Sequence, residues 1–116
     1  MSLFDRAGFE VFVLGLPKVT LVHQWRDDSV AKIGDKVFAL LDRDGGEIWF
    51  KASDLAFRML PELEHIRPAP YFARAGWVAV GPEAPITAHE LEGYLREAYA
   101  LVVARLTRKV RAELAL

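Results

Sequence analysis

The sequence contains no cysteine. Disulfides, thiolate metal sites, iron–sulfur clusters and cysteine nucleophiles are therefore excluded, which fits a reducing compartment. Histidine is scarce too. His23, His65 and His89 fall in three different segments with no H-x-H or H-x₃-H spacing, so no metal site is expected. Long apolar runs are missing: the longest, 11–16 and 99–104, fall far short of the ~20 residues a membrane helix needs. The N-terminus Met1-Ser2-Leu3-Phe4-Asp5-Arg6 lacks a basic stretch followed by an apolar one, so no secretory leader is expected. A soluble, cytoplasmic protein with no membrane contact is the expectation.

An excess of positive charge is also absent. Fifteen Lys and Arg stand against sixteen Asp and Glu, a net charge of −1. Proteins held to nucleic acid by phosphate contacts usually show a basic balance or a basic face, and here only the second remains open. Catalytic signatures are missing as well. There is no G-x-S-x-G elbow and no Walker-type glycine loop. Gly45-Gly46 sits between two β-type runs rather than before a helix, which is hairpin chemistry. No enzyme active site and no cofactor are expected.

What remains is an ordinary globular composition, 53% hydrophobic and 27% charged over 116 residues. A chain of this length suits one domain and buries roughly two-thirds of its unfolded surface. Residues 3–15 read as a helix with Phe4, Ala7, Val11 and Leu14 recurring at helical steps, stopped by Leu16-Pro17. Four β-type runs follow at 20–25, 29–33, 36–41 and 47–51. The pair Gly34-Asp35 between the second and third suits a tight type II′ hairpin. On that reading Ala31, Ile33, Phe38 and Leu40 share one face, and Val30, Lys32, Val37 and Ala39 the other.

Ser53 caps a short helix to about residue 65, kinked near Pro61. Residues 67–72 form a proline-stiffened connection, and 76–80 a fifth strand. Thr87-Ala88-His89-Glu90 is a capping box. It opens an apolar stripe at Leu91, Leu95, Ala98, Val102 and Leu106 that continues towards Val110 and Leu114. One helix of that span is roughly 40 Å long, so its basic end is expected to project. The expected architecture is α+β: an antiparallel meander of about five strands, with the first and last helices packed on one face. Trp25, Trp49 and Trp77 lie in expected strands, as core or half-buried packing. A sheet apolar on both sides is either covered twice or offers a patch to a partner.

The segments Gly34-Asp35-Lys36-Val37-Phe38-Ala39 and Arg74-Ala75-Gly76-Trp77, with Leu16-Pro17, His23, Ile48-Trp49-Phe50-Lys51 and Pro70 in the same order, resemble the MmcQ/YjbR family over nearly the whole chain. The resemblance implies a fold similar to bacterial frataxin (CyaY) and a DNA-binding role through two hairpins acting as a double wing. It brings no catalytic residues. Frataxin's iron function rests on an acidic ridge starting on the first helix. Here that helix carries only Asp5 and Glu10 with Arg6 between them, so iron handling does not follow.

If DNA is the partner, contacts are expected from Lys32 and Lys36 at the first hairpin tip, from Lys51, and from Arg67 and Arg74 beside Trp77. Binding would then be weak and non-specific. Arg105, Arg108, Lys109 and Arg111 crowd the end of the last helix, where they suit its dipole or contact phosphate. The alternatives are a protein-interaction adaptor using an open sheet face and an accessory protein holding a small ligand or metal.

Overall fold

The computed structural model describes residues 2–44 and 46–116; Met1 and Gly45, the latter in the loop expected before the fourth strand, lie outside the described residues. Helix α1 (Arg6–Leu14) is followed by strands β1 (Thr20–Gln24), β2 (Asp28–Ile33), β3 (Lys36–Leu41) and β4 (Ile48–Lys51). Then come α2 (Asp54–Met59), β5 (Ile66–Pro68), β6 (Trp77–Val80), α3 (Ala88–Arg105) and α4 (Arg108–Glu113). Among the described residues the strands form a six-stranded sheet in the order β1-β2-β3-β4-β6-β5, with every neighbouring pair antiparallel. No helix among the described residues is long and apolar enough to cross a membrane.

The α+β class and the helix-covered sheet are as expected. Phe9 and Val13 of α1 and Leu91, Leu95, Ala98 and Val102 of α3 share one core cluster with Ala31, Ile33, Phe50, Val78 and Val80 of the sheet. Thr87 and Glu90 form the complete capping box that starts α3. Ser53 caps α2 through the Ala56 amide, and the helix gives way to a 3₁₀ turn at Leu60–Glu62, where Pro61 enters. The sixth strand is β5, a short edge strand inside what reads as a connection. Pro68 is tolerated there because an edge strand does not need every amide.

Four expectations are corrected. The buried stripe of α1 is Phe9 and Val13, whereas Val11 is 62% and Leu14 51% exposed. The run 11–14 is apolar on every side, so periodicity could not choose a face; the sheet took the one with the larger ring. Secondly, Gly34 and Asp35 both have positive φ, 57° and 65°, which makes the turn type I′ rather than II′.

Thirdly, the β2–β3 register shifts at Ala31/Lys32, so that Ala31 faces Ala39 while Lys32 faces Val37. Phe38 is the extra residue of a bulge, which lets Phe38 and Ala39 both reach the helix-side core. Leu40, paired with Val30, moves to the second face.

Fourthly, the last helix is not continuous. Leu106 turns extended (φ −70°, ψ 148°), and the Thr107 hydroxyl caps α4 by accepting from the Val110 amide at 3.1 Å. The break folds Val110 and Leu114 back against the core instead of letting them run past it. Leu106 and Val110 cover the first hairpin tip: a Cβ on Gly34 would lie 2.9 Å from a Leu106 methyl and 3.1 Å from a Val110 methyl. The expected projecting basic end and the free hairpin tip are thus packed together.

This close approach is testable by urea denaturation. Gly34→Ala is expected to lose about 2 kcal/mol, from left-handed backbone strain and overpacking together. Gly46→Ala, also at positive φ but with no atom within 4 Å, isolates the backbone part at about 1 kcal/mol. Equal losses at the two sites would show that Leu106 and Val110 do not clamp the tip.

Candidate functional site

The structure scatters the six sequence candidates. Trp77 is buried in a small cluster on the second face with Ala69 and Ala79, its ring 5.2 Å from Phe72, so it offers no surface to a partner. Arg67 reaches across the small Ala79 of β6 to Glu47, with Nη2 to Oε1 at 2.8 Å and Nε to Oε2 at 3.3 Å. Lys32 lies along the second face with Nζ 3.4 Å from the Gln24 amide oxygen. Lys36 is exposed beside the clamped tip. Lys51 and Arg74 come together in one cavity, and Lys36 stands at the same end of the sheet.

They meet at the end of the sheet where β4 leaves and β6 enters. Gly76, in a left-handed conformation at φ 80°, makes room there: a Cβ would lie 2.9 Å from the Lys51 ammonium. That ammonium donates to the Ala75 carbonyl. Arg58 in the last turn of α2 and Arg105 in the last turn of α3 join them. Lys51, Arg58, Arg74 and Arg105 line one cavity of about 570 Å³ whose single acidic lining residue is Asp54. The clamp of Leu106 and Val110 on Gly34 brings α4, with Arg108, Lys109, Arg111 and the acidic Glu113, to the same end as Asp35 and Lys36 of the hairpin.

Pairing separates this end from the rest. Arg6 and Arg43 pair with Asp27, Arg26 with Asp44, Arg67 with Glu47 and Arg96 with Glu92. Among the described residues, none of the eight basic side chains at the β4–β6 end stands within 4.0 Å of a carboxylate. Sequence reading found seven of these residues but assigned them to separate features, and missed Arg58. Its signal was its place in the last turn of a helix that follows Lys51 directly.

The second face is neither open nor flat. Segment 69–76 folds across it and sets Phe72 among Trp25, Trp49 and Trp77, with ring centroids 6.4, 6.2 and 5.2 Å away. Trp25 is not a strand residue. It sits in the β1–β2 turn at φ 61° and is 58% exposed. Trp25, Leu40, Trp49, Pro70, Tyr71 and Phe72 line a groove of about 550 Å³, with Asp28, Asp42 and Arg26 also in its lining. The unobstructed sheet face expected for an adaptor is thereby reduced to this groove.

The displaced carboxyl groups are held in structural pairs. Burial works to raise the Glu10 pKa, but hydrogen bonds from Ser29 (2.7 Å) and His23 (2.7 Å) outweigh it and leave the group below its ordinary value. Glu47 behaves alike: burial opposes, and Arg67 and the Trp49 indole N–H prevail. Its partner Arg67 is raised, chiefly by the hydrogen bond to Glu47. The histidines stay apart, with His23 on Glu10, His65 3.8 Å from Glu83, and His89 in the first turn of α3.

An antiparallel sheet backed by helices on one face, with basic residues drawn to one end, defines an α+β protein. Its family follows from comparison. The YjbR family model matches residues 14–101, and the chain belongs to that family. No curated protein matches it. Among solved structures it is similar to the Deinococcus radiodurans protein DR2400, described with the family-model domain DUF419. That match has a TM-score of 0.81 and 24% identity, over 95% of this chain and 87% of that one. A Pseudomonas syringae protein is similar at TM-score 0.67 and 20% identity, over 84% of this chain and 97% of that one. At such identities the likeness is one of fold.

The depressed Glu10 and Glu47 values carry a pH consequence. A carboxyl whose folded pKa lies below its unfolded one adds stability that is full above the unfolded value and is lost as pH falls through the folded value. Denaturant titrations at successively lower pH should therefore show the protein losing stability on the acid side of the ordinary glutamate range. Glu47→Gln, weaker at neutral pH, should follow a shallower course there; an unchanged slope would show that the Arg67 pair is not what depresses Glu47.

Proposed function

We propose that this chain is a non-catalytic nucleic-acid-binding module that works through the β4–β6 end of its sheet. The supporting observation is the contrast in pairing. In a chain of net charge −1, eight cations gather at one end with no carboxylate within 4.0 Å among the described residues, while those elsewhere are mostly paired. Unpaired lysine and arginine keep their full charge for an outside anion, and guanidinium forks suit phosphate oxygens. The family resemblance supplies nucleic acid as the polyanion.

The hairpin is not used as a wing in this reading. Its tip is clamped by Leu106 and Val110, Arg67 is paired with Glu47, and Lys32 is turned along the second face towards Gln24. Lys51, Arg58, Arg74 and Arg105 contact phosphates, with Lys36 and α4 beside them. The three carboxylates held below their ordinary values, Glu10, Glu47 and the capping Glu90, serve as structural partners in this reading.

Phosphate contacts of this kind release counterions, so log Kd should vary with log salt with a slope of about 0.9 per contact on a duplex and about 0.7 on a single strand. Four contacts predict weak binding at physiological salt, measurable below it. The double variant Arg74→Glu/Arg105→Glu should reduce the slope by about two units and weaken low-salt binding. Arg67→Gln, removing a cation already paired, should leave both unchanged. Absence of low-salt association, or a double variant that binds like the wild type, would remove this reading.

A further inference from the structure

We infer that the nucleic acid this module takes is single-stranded, with unpaired bases entering the aromatic groove on the second face while their phosphates lie on the basic end; this rests on the proposed function. Two observations join the surfaces. Segment 69–76 belongs to both: Tyr71 and Phe72 line the groove, and residues 73–76 line the basic cavity. Trp49 and Lys51 lie on the same side of β4 two residues apart, roughly 7 Å, with segment 69–76 over the strand between them. A ligand therefore passes from groove to basic cavity along the outside of that segment.

The groove has the chemistry of a base site rather than of a phosphate site. Trp25 is 58% and Tyr71 97% exposed, and each is held at positive φ, 61° and 67°. Bulky residues rarely adopt this backbone, and they gain little from it when the ring is left in water. Stacking on a base would bury both rings, and every base has a π face. Asp28 in the lining takes the Arg43 amide on one oxygen and, when ionised, can accept on the other but not donate. It repels phosphate and suits the amino groups of adenine, cytosine and guanine, while Arg26, the cation in the lining, is paired with Asp44. Charge therefore orients the strand, bases towards Asp28 and phosphates towards Arg74. A duplex keeps its bases stacked and paired inside, so it could meet only the basic end.

The test uses the full chain and a labelled, mixed-sequence oligodeoxynucleotide of about ten residues, within the range a single binding domain covers. Its annealed duplex and a polyglutamate of similar length are compared by fluorescence anisotropy at one low salt concentration. The single strand is expected to bind at least about tenfold more tightly than the duplex. Trp25→Ala and Tyr71→Ala should each weaken single-strand binding about tenfold, the scale of one lost base stack, and leave duplex binding within about twofold. Tyr71 touches no core residue, so its variant keeps the test valid if Trp25→Ala unfolds the β1–β2 turn.

Equal binding of strand and duplex, or unchanged binding by the Tyr71 variant, overturns the single-strand inference and leaves the basic-end reading standing. Polyglutamate binding as tightly as the strand overturns it as well, in favour of an acidic peptide partner. Failure of both nucleic acids to bind overturns the proposed function itself.

Discussion

At Gly34 the first hairpin passes under Leu106 and Val110 with no room for a methyl group between them. Much of the basic end depends on this contact. It requires the last helix to stop at Arg105, because a straight continuation would carry Val110 away from the sheet. Thr107 makes the stop inexpensive by capping the new helix, satisfying an amide that the break exposes. Once turned back, α4 delivers its arginines and lysine to the same end as Lys36. The β4–α2 junction supplies Lys51 and Arg58 there, and the approach to β6 supplies Arg74.

Electrostatics then divides the molecule. Away from that end carboxylates outnumber cations, and most of the cations there are paired with one; exposed pairs of this type add little stability. Their larger effect is on the field: the unpaired cations of the β4–β6 end face a remainder of the molecule that is acidic on balance. Two of them, Arg58 and Arg105, also sit at helix C-termini, where the dipole favours a cation. Stability and display are compatible here, because a helix end holds the base of the side chain and leaves its guanidinium outward.

The second face shows a related economy. Its central row, Val30, Leu40 and Ala79, is fully buried, although no described helix joins its cluster. Cover comes from segment 69–76, whose Phe72 sits among three tryptophans, while Tyr71 beside it stays in water. A proline-stiffened segment serves as lid for half the face and wall for the remaining groove. Arg67, lying over Ala79 to Glu47 and Trp49, closes the far margin.

The class, the strands of the meander, the caps at Ser53 and Thr87, the α3 stripe as far as Leu106 and the family resemblance were legible in the sequence, because each rests on neighbours along the chain. Periods of two and three to four residues, turn pairs and capping boxes are local signals. Three things were decided only by tertiary packing: which side of the uniformly apolar α1 turns inward, the bulge at Phe38 that exchanges Ala39 for Leu40, and the stop after Arg105. In each case two local solutions are nearly equal in energy, and the sheet selects between them through Phe9, Phe38 and Gly34. The candidate site belongs with these. Sequence names which residues are charged, but whether a cation is spent on a carboxylate or left for a partner depends on distances across strands, as Arg67 and Arg74 show from opposite sides.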